Sequence, residues 1–513
     1  MSAVNPRLLA VSAAAVVLGL LLGCGDDGGP VVFSYGVASG DVRPDGAVLW
    51  TRADHEATLT VEVATDQAFE HVLIEEEVKA EKDADFTAKA EVSSLEAAQT
   101  YFYRFRRGDS MSEVGTFHTA PAEDEASPVR FAFSGDADST VREDGTRAFD
   151  FKVLDAIRAE DADFFLFFGD TIYADSGDGP KATTLDDYRA KYKESREIER
   201  MRQVLAGTPI YTVWDDHEVE NDFAGTTVDP DLLANGRQAF REYMPISGDD
   251  NPDVLYRTFR WGKDVEFIIL DERSFRSASA AAACTPQGAD SPDVLPGFGF
   301  PDVPQPVRNI RLAVDLPLAT DPACVAALND PERTMLGEEQ KQFLFDALSN
   351  SDATFKIIVN EVPISEIFAQ PYDRWEGYRA EREAVLGFIA FSQIKNVVFL
   401  TTDFHANILL NTYVNVLNPT DAQGRPKGPV IAREAIAGPI AHGTFGDAAV
   451  EAQGEGADAL FAGVLTQIAR AECVELDAYA YGLVEIDPTA GTATITLKDE
   501  NGAQLCQTVV RAQ

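Results

Sequence analysis

Phe164-Phe165-Leu166-Phe167-Phe168 runs without a polar residue into Gly169-Asp170-Thr171-Ile172-Tyr173. A strand with one wet face alternates apolar and polar residues. An unbroken apolar run reads as a strand covered on both faces. The acid then falls where the chain leaves the sheet. Five more apolar runs share this texture, at 130–133, 210–214, 265–270, 355–359 and 397–400. Helical periodicity fills the gaps, at 188–205, 233–243, 338–348 and 378–393. Strand–helix alternation of this kind predicts an α/β domain.

The texture differs on the N-terminal side. Ala47-Val48-Leu49-Trp50-Thr51, Thr58-Leu59-Thr60-Val61-Glu62-Val63 and Thr100-Tyr101-Phe102-Tyr103-Arg104-Phe105 are β-branched or aromatic runs, separated by turns such as Arg43-Pro44-Asp45-Gly46. They predict a small antiparallel β-sandwich of the fibronectin or immunoglobulin kind over 31–121. A linker rich in Ala, Glu and Pro at 119–128 leads into the larger domain, 128–513, and 277–330 reads as a Pro-, Ala- and Asp-rich insertion.

Composition narrows the function classes. The 513 residues carry 85 Asp and Glu against 43 Lys and Arg, a formal charge of −42. Such a surface repels phosphate backbones, so no stable nucleic-acid complex is expected. Residues 1–23 read as an export signal, with Arg7 as its basic charge and an apolar stretch short for a membrane span. The ending Leu21-Leu22-Gly23-Cys24 resembles the bacterial lipoprotein cleavage box, which makes Cys24 the lipidation site. The expected location is the cell envelope, periplasmic or at the outer membrane, with the chain a monomer tethered by lipid. The other cysteines are Cys284, Cys324, Cys473 and Cys506. None has zinc-finger spacing, and an even set in an exported chain predicts two disulfides. Proximity favours Cys284–Cys324 and Cys473–Cys506, among three connectivities.

The chemistry gathers behind the strands. The endings are Ser134-Gly135-Asp136-Ala137-Asp138, Gly169-Asp170-Thr171-Ile172-Tyr173, Trp214-Asp215-Asp216-His217-Glu218 with Asn221, Asp271-Glu272-Arg273, Asn360-Glu361 and Thr402-Asp403-Phe404-His405. Strand carboxyl ends are the usual ligand crevice of an open α/β sheet. No Gly-x-Ser-x-Gly elbow or Walker loop occurs, which disfavours a serine hydrolase or a nucleotide-driven enzyme. Hard oxygen donors with imidazole suit a pair of metal ions, which activate water for phosphoryl chemistry.

Gly-Asp-Thr-Ile-Tyr, Trp-Asp-Asp-His-Glu and Thr-Asp-Phe-His, in that order, resemble the alkaline phosphatase D (PhoD-like) branch of the calcineurin-type metallophosphoesterases. Support comes from Gly36-Val37-Ala38-Ser39-Gly40-Asp41, Leu49-Trp50-Thr51-Arg52, Leu270-Asp271-Glu272-Arg273-Ser274-Phe275-Arg276 and Asp373-Arg374-Trp375-Glu376-Gly377-Tyr378. The resemblance implies a central-sheet metallophosphoesterase sandwich that hydrolyses phosphate mono- or diesters. It implies Asp136, His405 and Tyr173 around a first metal, Asp170 bridging, and Asp216, Asn221 and Asp403 around a second. Asn360 matches a further ligand position, and Asp138, in the Asp-x-Asp turn with Asp136, is a further candidate metal ligand. His217 steadies the transition state or protonates the leaving group. The metals implied are ferric iron with calcium or another divalent ion. Where some relatives carry a cysteine ligand, this chain has Ser134-Gly135-Asp136. His442 and Trp375 are read as structural, and Arg273 and Arg276 as ion-pairing or phosphate-contacting. The rival reading is a catalytically silent cation- or surface-binding lipoprotein on the same fold.

Overall fold

The computed structural model describes residues 29–248, 251–280, 283, 322–367, 373–414 and 429–513. The apolar runs become the middle strands of two sheets. The seven-stranded sheet runs Arg257–Trp261, Val265–Ile269, Phe355–Asn360, Val397–Thr401, Ala432–Ile436, Asn407–Thr412 and Cys473–Glu475. Neighbouring strands from Val265–Ile269 through Ala432–Ile436 are parallel. The nine-stranded sheet is centred on Val129–Ser134, Phe164–Phe167 and Ile210–Tyr211, also parallel.

Both faces of the seven-stranded sheet are buried, as the sequence pattern requires. Phe267, Ile357, Val359, Val398 and Leu400 join the core that contains Phe131 and Phe164 of the other sheet. Their neighbours Ile268, Ile358 and Phe399 join a second core with Leu344, Leu348, Val385 and Ile389. That alternation is the period of two of a strand, with helices Gly337–Asn350 and Arg379–Phe391 covering the outer face. The sheets meet through edge-on aromatic pairs, Phe131–Phe267 at 5.1 Å and Phe164–Phe267 at 5.4 Å. Helices Val153–Ala159 and Glu199–Gly207 contribute Leu154, Ile157, Val204 and Leu205 to the first core. The body is therefore mixed α/β, with two sheets between helices.

The N-terminal part is strand-rich, and it shares a sheet with the body. Val37–Arg43, Gly46–Arg52 and Thr87–Val92 extend the nine-stranded sheet, while Ala57–Ala64, Val72–Ala80 and Thr100–Arg107 lie in a separate one. The junction is a parallel pairing of Gly40 with Ile210. A Cβ at Gly40 would stand 2.7 Å from the Ile210 carbonyl and 2.5 Å from that of Pro245, so the close approach requires glycine. Side chains reinforce the seam. Trp50 Nε1 donates to the Glu242 carbonyl at 2.7 Å, and Asp85 accepts from Lys193 at 3.0 Å and from the Tyr243 hydroxyl.

The periodic stretch 188–205 is two helices, Leu185–Arg196 and Glu199–Gly207. Ile198 between them is extended, and Arg202 Nη1 donates to the carbonyls of Arg196 and Glu197 at 2.8 and 2.9 Å. An arginine from the second helix thus satisfies the orphan carbonyls that end the first. The Cys473–Cys506 bridge is formed, with Cα atoms 6.0 Å apart. It joins the edge strand Cys473–Glu475 of one sheet to the edge strand Gln504–Arg511 of the other. Cys24, residues 1–23, Cys284 and most of 277–330 lie outside the described residues, and so does the geometry of a Cys284–Cys324 bridge. Among the described residues, no helix is long and apolar enough to cross a membrane.

Candidate metal centre

Four acidic or imidazole residues at strand endings sit in the left-handed backbone region: Asp136 (φ +57°), Asp170 (+49°), Asp403 (+61°) and His405 (+51°). Non-glycine residues adopt it at a cost, and such strain gathers where a side chain must be aimed. The turns are locked to one another. Asp136 N donates to the Gly169 carbonyl at 3.2 Å, and Ala137 N to that of Asp170 at 2.9 Å. The segment 438–442 lies alongside, with Ile440 N on the Gly135 carbonyl and Ala441 N on that of Asp136. A Cβ on Gly438 would collide with Asp136 Oδ2, so this glycine leaves the carboxylate its space. Glu218 is fully buried and accepts from Thr171 N, Thr171 Oγ1 and Asp215 N at 2.6 to 2.9 Å. It ties the second strand ending to the third.

The result is overlapping sets of donors close enough to share a cation. Asp136, Asp170 and His405 form one, Asp170, Asp216 and His217 a second, and Asp215, Asp216 and Asp403 a third. Asp170 belongs to the first two, as a bridging carboxylate must. Asp136 Oδ2 and Asp216 Oδ1 are buried without a hydrogen-bond partner, although buried polar atoms nearly always have one. Burial, then the charge of Asp403, pushes the Asp136 carboxyl well above the usual range; burial and Asp216 do the same to Asp170. Crowded acids with orphaned oxygens call for positive charge, so these residues fit metal ions.

His405 fits the same role. Burial and the neighbouring His442 hold its pKa well below normal, leaving the neutral imidazole that a metal needs. Its Nδ1 lies 2.9 Å from the Gly443 carbonyl and 3.0 Å from His442 Nδ1, which leaves Nε2 facing Tyr173 Oη at 3.1 Å. Tyr173 is stacked between His217 (ring centroids 4.2 Å apart) and His442 (4.6 Å). His442 is thus part of the wall, beyond what its small-residue sequence context signals. Asp216 accepts from Asp222 N at 2.6 Å, and Asn221 stands at the exposed edge of the same cavity. The cavity holds about 380 Å³ and is lined by Asp170, Asp216, His217, Asn221, Asp403 and His405, with helix Phe445–Gln453 opposite.

His217 makes contacts of a different sort. Its Nδ1 lies 2.5 Å from Asp175 Oδ1, and Asp175 Oδ2 accepts from Asn221 N at 2.9 Å. Burial pulls the His217 pKa down, but Asp216, Asp175 and Asp215 prevail and push it up to about 9. Asp175 carries no motif of its own, and only its place two residues past Tyr173 could have marked it. Arg374, on Asp403 at 2.8 Å, also lines the cavity.

Two candidate ligands lie elsewhere. Asp138 gives its oxygens to Thr140 N and Ser176 Oγ, at 2.9 and 2.8 Å. Asn360 donates to the Val362 carbonyl and accepts from Trp375 Nε1 at 3.2 Å, beneath the site. Trp375 is fully buried. Arg273 and Arg276 are also buried, and both pair with Asp373.

Comparison with known proteins gives a consistent picture. A family model described as PhoD-like phosphatase matches residues 144–497, and one described as PhoD-like phosphatase, N-terminal domain, matches 24–121. Alkaline phosphatase D of Bacillus subtilis (strain 168) is 29% identical over 429 residues, 75% of this chain. The match spans 66% of that relative, just under two thirds of its length. A solved structure of PhoD superposes with a TM-score of 0.72 at 23% identity, covering 95% of this chain and 94% of the other. A purple acid phosphatase from yellow lupin (Lupinus luteus) seeds superposes at 0.57 with 12% identity, over 94% of this chain and 74% of its own. These two likenesses establish a metallophosphoesterase-type fold.

Proposed function

The chain belongs to the PhoD-like phosphatase family, and from that premise we propose that it is a metal-dependent phosphoric ester hydrolase acting on phosphate mono- or diesters. The observation that carries the reading is the pair of orphaned buried oxygens, Asp136 Oδ2 and Asp216 Oδ1, in two donor sets that share Asp170. Asp136, Tyr173 and His405 would hold one ion, Asp216, Asn221 and Asp403 the other, with Asp170 between them. Ferric iron with calcium or another divalent ion is the pair implied by family resemblance. Bound there, the ions supply charge for the phosphoryl oxygens and lower the pKa of water.

The chain's own groups do the rest. His217, held at Nδ1 by Asp175, keeps Nε2 free for the substrate and a proton ready for the leaving oxygen. Tyr173 and His442 fix its ring plane from one side. Arg374 offers a guanidinium at the wall where a phosphate would lie. The full reading is an exported lipoprotein, anchored through Cys24 in the cell envelope and acting there on an exogenous ester. Metal-loaded protein should turn over p-nitrophenyl phosphate, its bis-ester or both, and chelation should abolish it. Inert, metal-replete protein would sink the reading in favour of a cation-binding role.

A further inference from the structure

Arg273 is fully buried, and each arm of its guanidinium is occupied by a carboxylate. Nε meets Asp215, and Nη1 meets both oxygens of Asp373 at 2.8 and 3.0 Å. Nη2 lies 3.3 Å from Asp403 Oδ1 and 3.7 Å from Asp216 Oδ2. The fork cannot swing. Arg276 Nη2 grips Asp373 at 2.6 Å, its Nη1 reaches the Asp373 carbonyl at 2.9 Å, and Gly225 N donates to the Arg273 carbonyl at 2.9 Å. Trp214 Nε1 and Arg273 N both donate to Asp271 Oδ1, at 3.1 and 3.3 Å, pinning the turn from which Arg273 springs.

The contacts fall on one side of the cavity. Arg273 reaches Asp216 and Asp403, whereas among the described residues its ion pairs do not extend to Asp136, Tyr173 or His405. Asp403 has its other oxygen on Arg374 at 2.8 Å, so two guanidiniums fix its plane. Asp216 turns one oxygen toward Arg273 and leaves Oδ1 bare. A rigid cation behind two carboxylates does two things. It fixes the direction of each carboxylate, and it sets the gap between their free lone pairs.

We propose that Arg273 is the positioning residue of the half-site built on Asp216 and Asp403, presetting its geometry for one of the two ions; this rests on the two-ion reading above. Lysine carries the same charge but brings its donors to a single point, so it cannot span Asp215, Asp373 and Asp403 together. Arg273→Lys therefore separates geometry from charge.

The test is calorimetric titration of the chelator-stripped full chain with Mn²⁺ and with Ca²⁺, alongside metal content by mass spectrometry and circular dichroism of each variant. Wild type should take up two ions in separable steps. Asp403→Asn should mark the step belonging to this half-site, and His405→Ala the other. Arg273→Lys should weaken the Asp403 step alone, by about 10- to 100-fold, the usual effect of removing a group that orients a ligand. Asp373→Asn, which leaves Arg273 in place but loosens its Nη1 arm, should weaken the same step less, and it carries the test if Arg273→Lys does not fold. Unchanged titrations, or equal weakening of both steps, overturn the proposal. A wild-type chain that binds no pair of ions overturns the two-ion reading itself and the proposal with it.

Discussion

Asp175 uses its two oxygens on two functional residues, His217 through Nδ1 and Asn221 through its backbone N–H. A carboxylate there fixes which imidazole nitrogen faces the cavity and stabilises the ring's positive charge. Asp175→Asn should therefore lower kcat while leaving the metal content of the Asp136 side intact. His217→Ala should keep most of its metal and lose turnover by ~10²–10⁴-fold, the usual worth of a positioned acid or base. Both losses should be small for p-nitrophenyl esters, whose leaving group scarcely needs a proton, and large for alkyl esters. Kinetics on the two ester types check this, and equal losses on both would remove the proton-donor role. The motif Trp-Asp-Asp-His-Glu shows how far residue-level reading reaches. Its chemistry was legible, but the division of labour was not. Asp216 faces the cavity, Asp215 pairs with Arg273, and Glu218 ties two turns together, because partners brought by distant strands decide each role.

Elements were legible where one physical rule dominated. Strands buried on both faces announce themselves as apolar runs, and all six fall within two residues of their expected starts. The pairing of Ala480–Asp487 with Thr492–Asp499 was not read. Thr492-Ala493-Thr494-Ile495-Thr496-Leu497 alternates polar and apolar as a half-exposed strand does, but it ends in no ligand-bearing turn and so drew no reading. The helix break at Ile198 depends on Arg202 reaching back across it, which periodicity does not encode. The shared sheet was hidden too, since a single Gly40–Ile210 pairing links segments far apart in sequence. That seam yields a pH test. Burial acts to raise the Asp85 pKa, but Arg52, Tyr243 and Lys193 prevail and bring it down to about 2. A depressed carboxylate stabilises the fold above its unfolded value and loses that contribution as pH falls through the folded value. After allowance for solvent screening, Asp85→Asn should cost ~1–2 kcal/mol at neutral pH. The gap from wild type should close between about pH 4 and pH 2, as read by denaturant melts at each pH.

At the scale of the molecule, one covalent tie and one electrostatic load act on the same two sheets. The Cys473–Cys506 bridge joins their edge strands, so Cys473→Ser should lower the melting temperature under oxidising conditions. Loss of a native disulfide typically costs ~2–5 kcal/mol, and the lower end is expected in so large a body. Wild type and variant should melt alike when both are measured with reductant. The electrostatic load is the set of buried acids between the sheet ends. With no cation bound, burial and mutual repulsion hold the carboxyls of Asp136 and Asp170 well above their unfolded values. The sign is opposite to that of Asp85. A raised carboxyl favours the fold while protonated, and that contribution drains away as pH climbs from the unfolded value toward the folded one. Chelator-stripped protein should thus lose stability as pH rises above the ordinary carboxylate range. Bound cations favour the ionised form and cancel the loss, so the melting-temperature gap between loaded and stripped protein should widen as pH rises. Each ion present at a thousand times its Kd adds ~4 kcal/mol to the folded state. Thermal melts with and without chelator at each pH measure the gap directly. A gap that stays constant or narrows with pH would mean that the buried acids do not carry the cations.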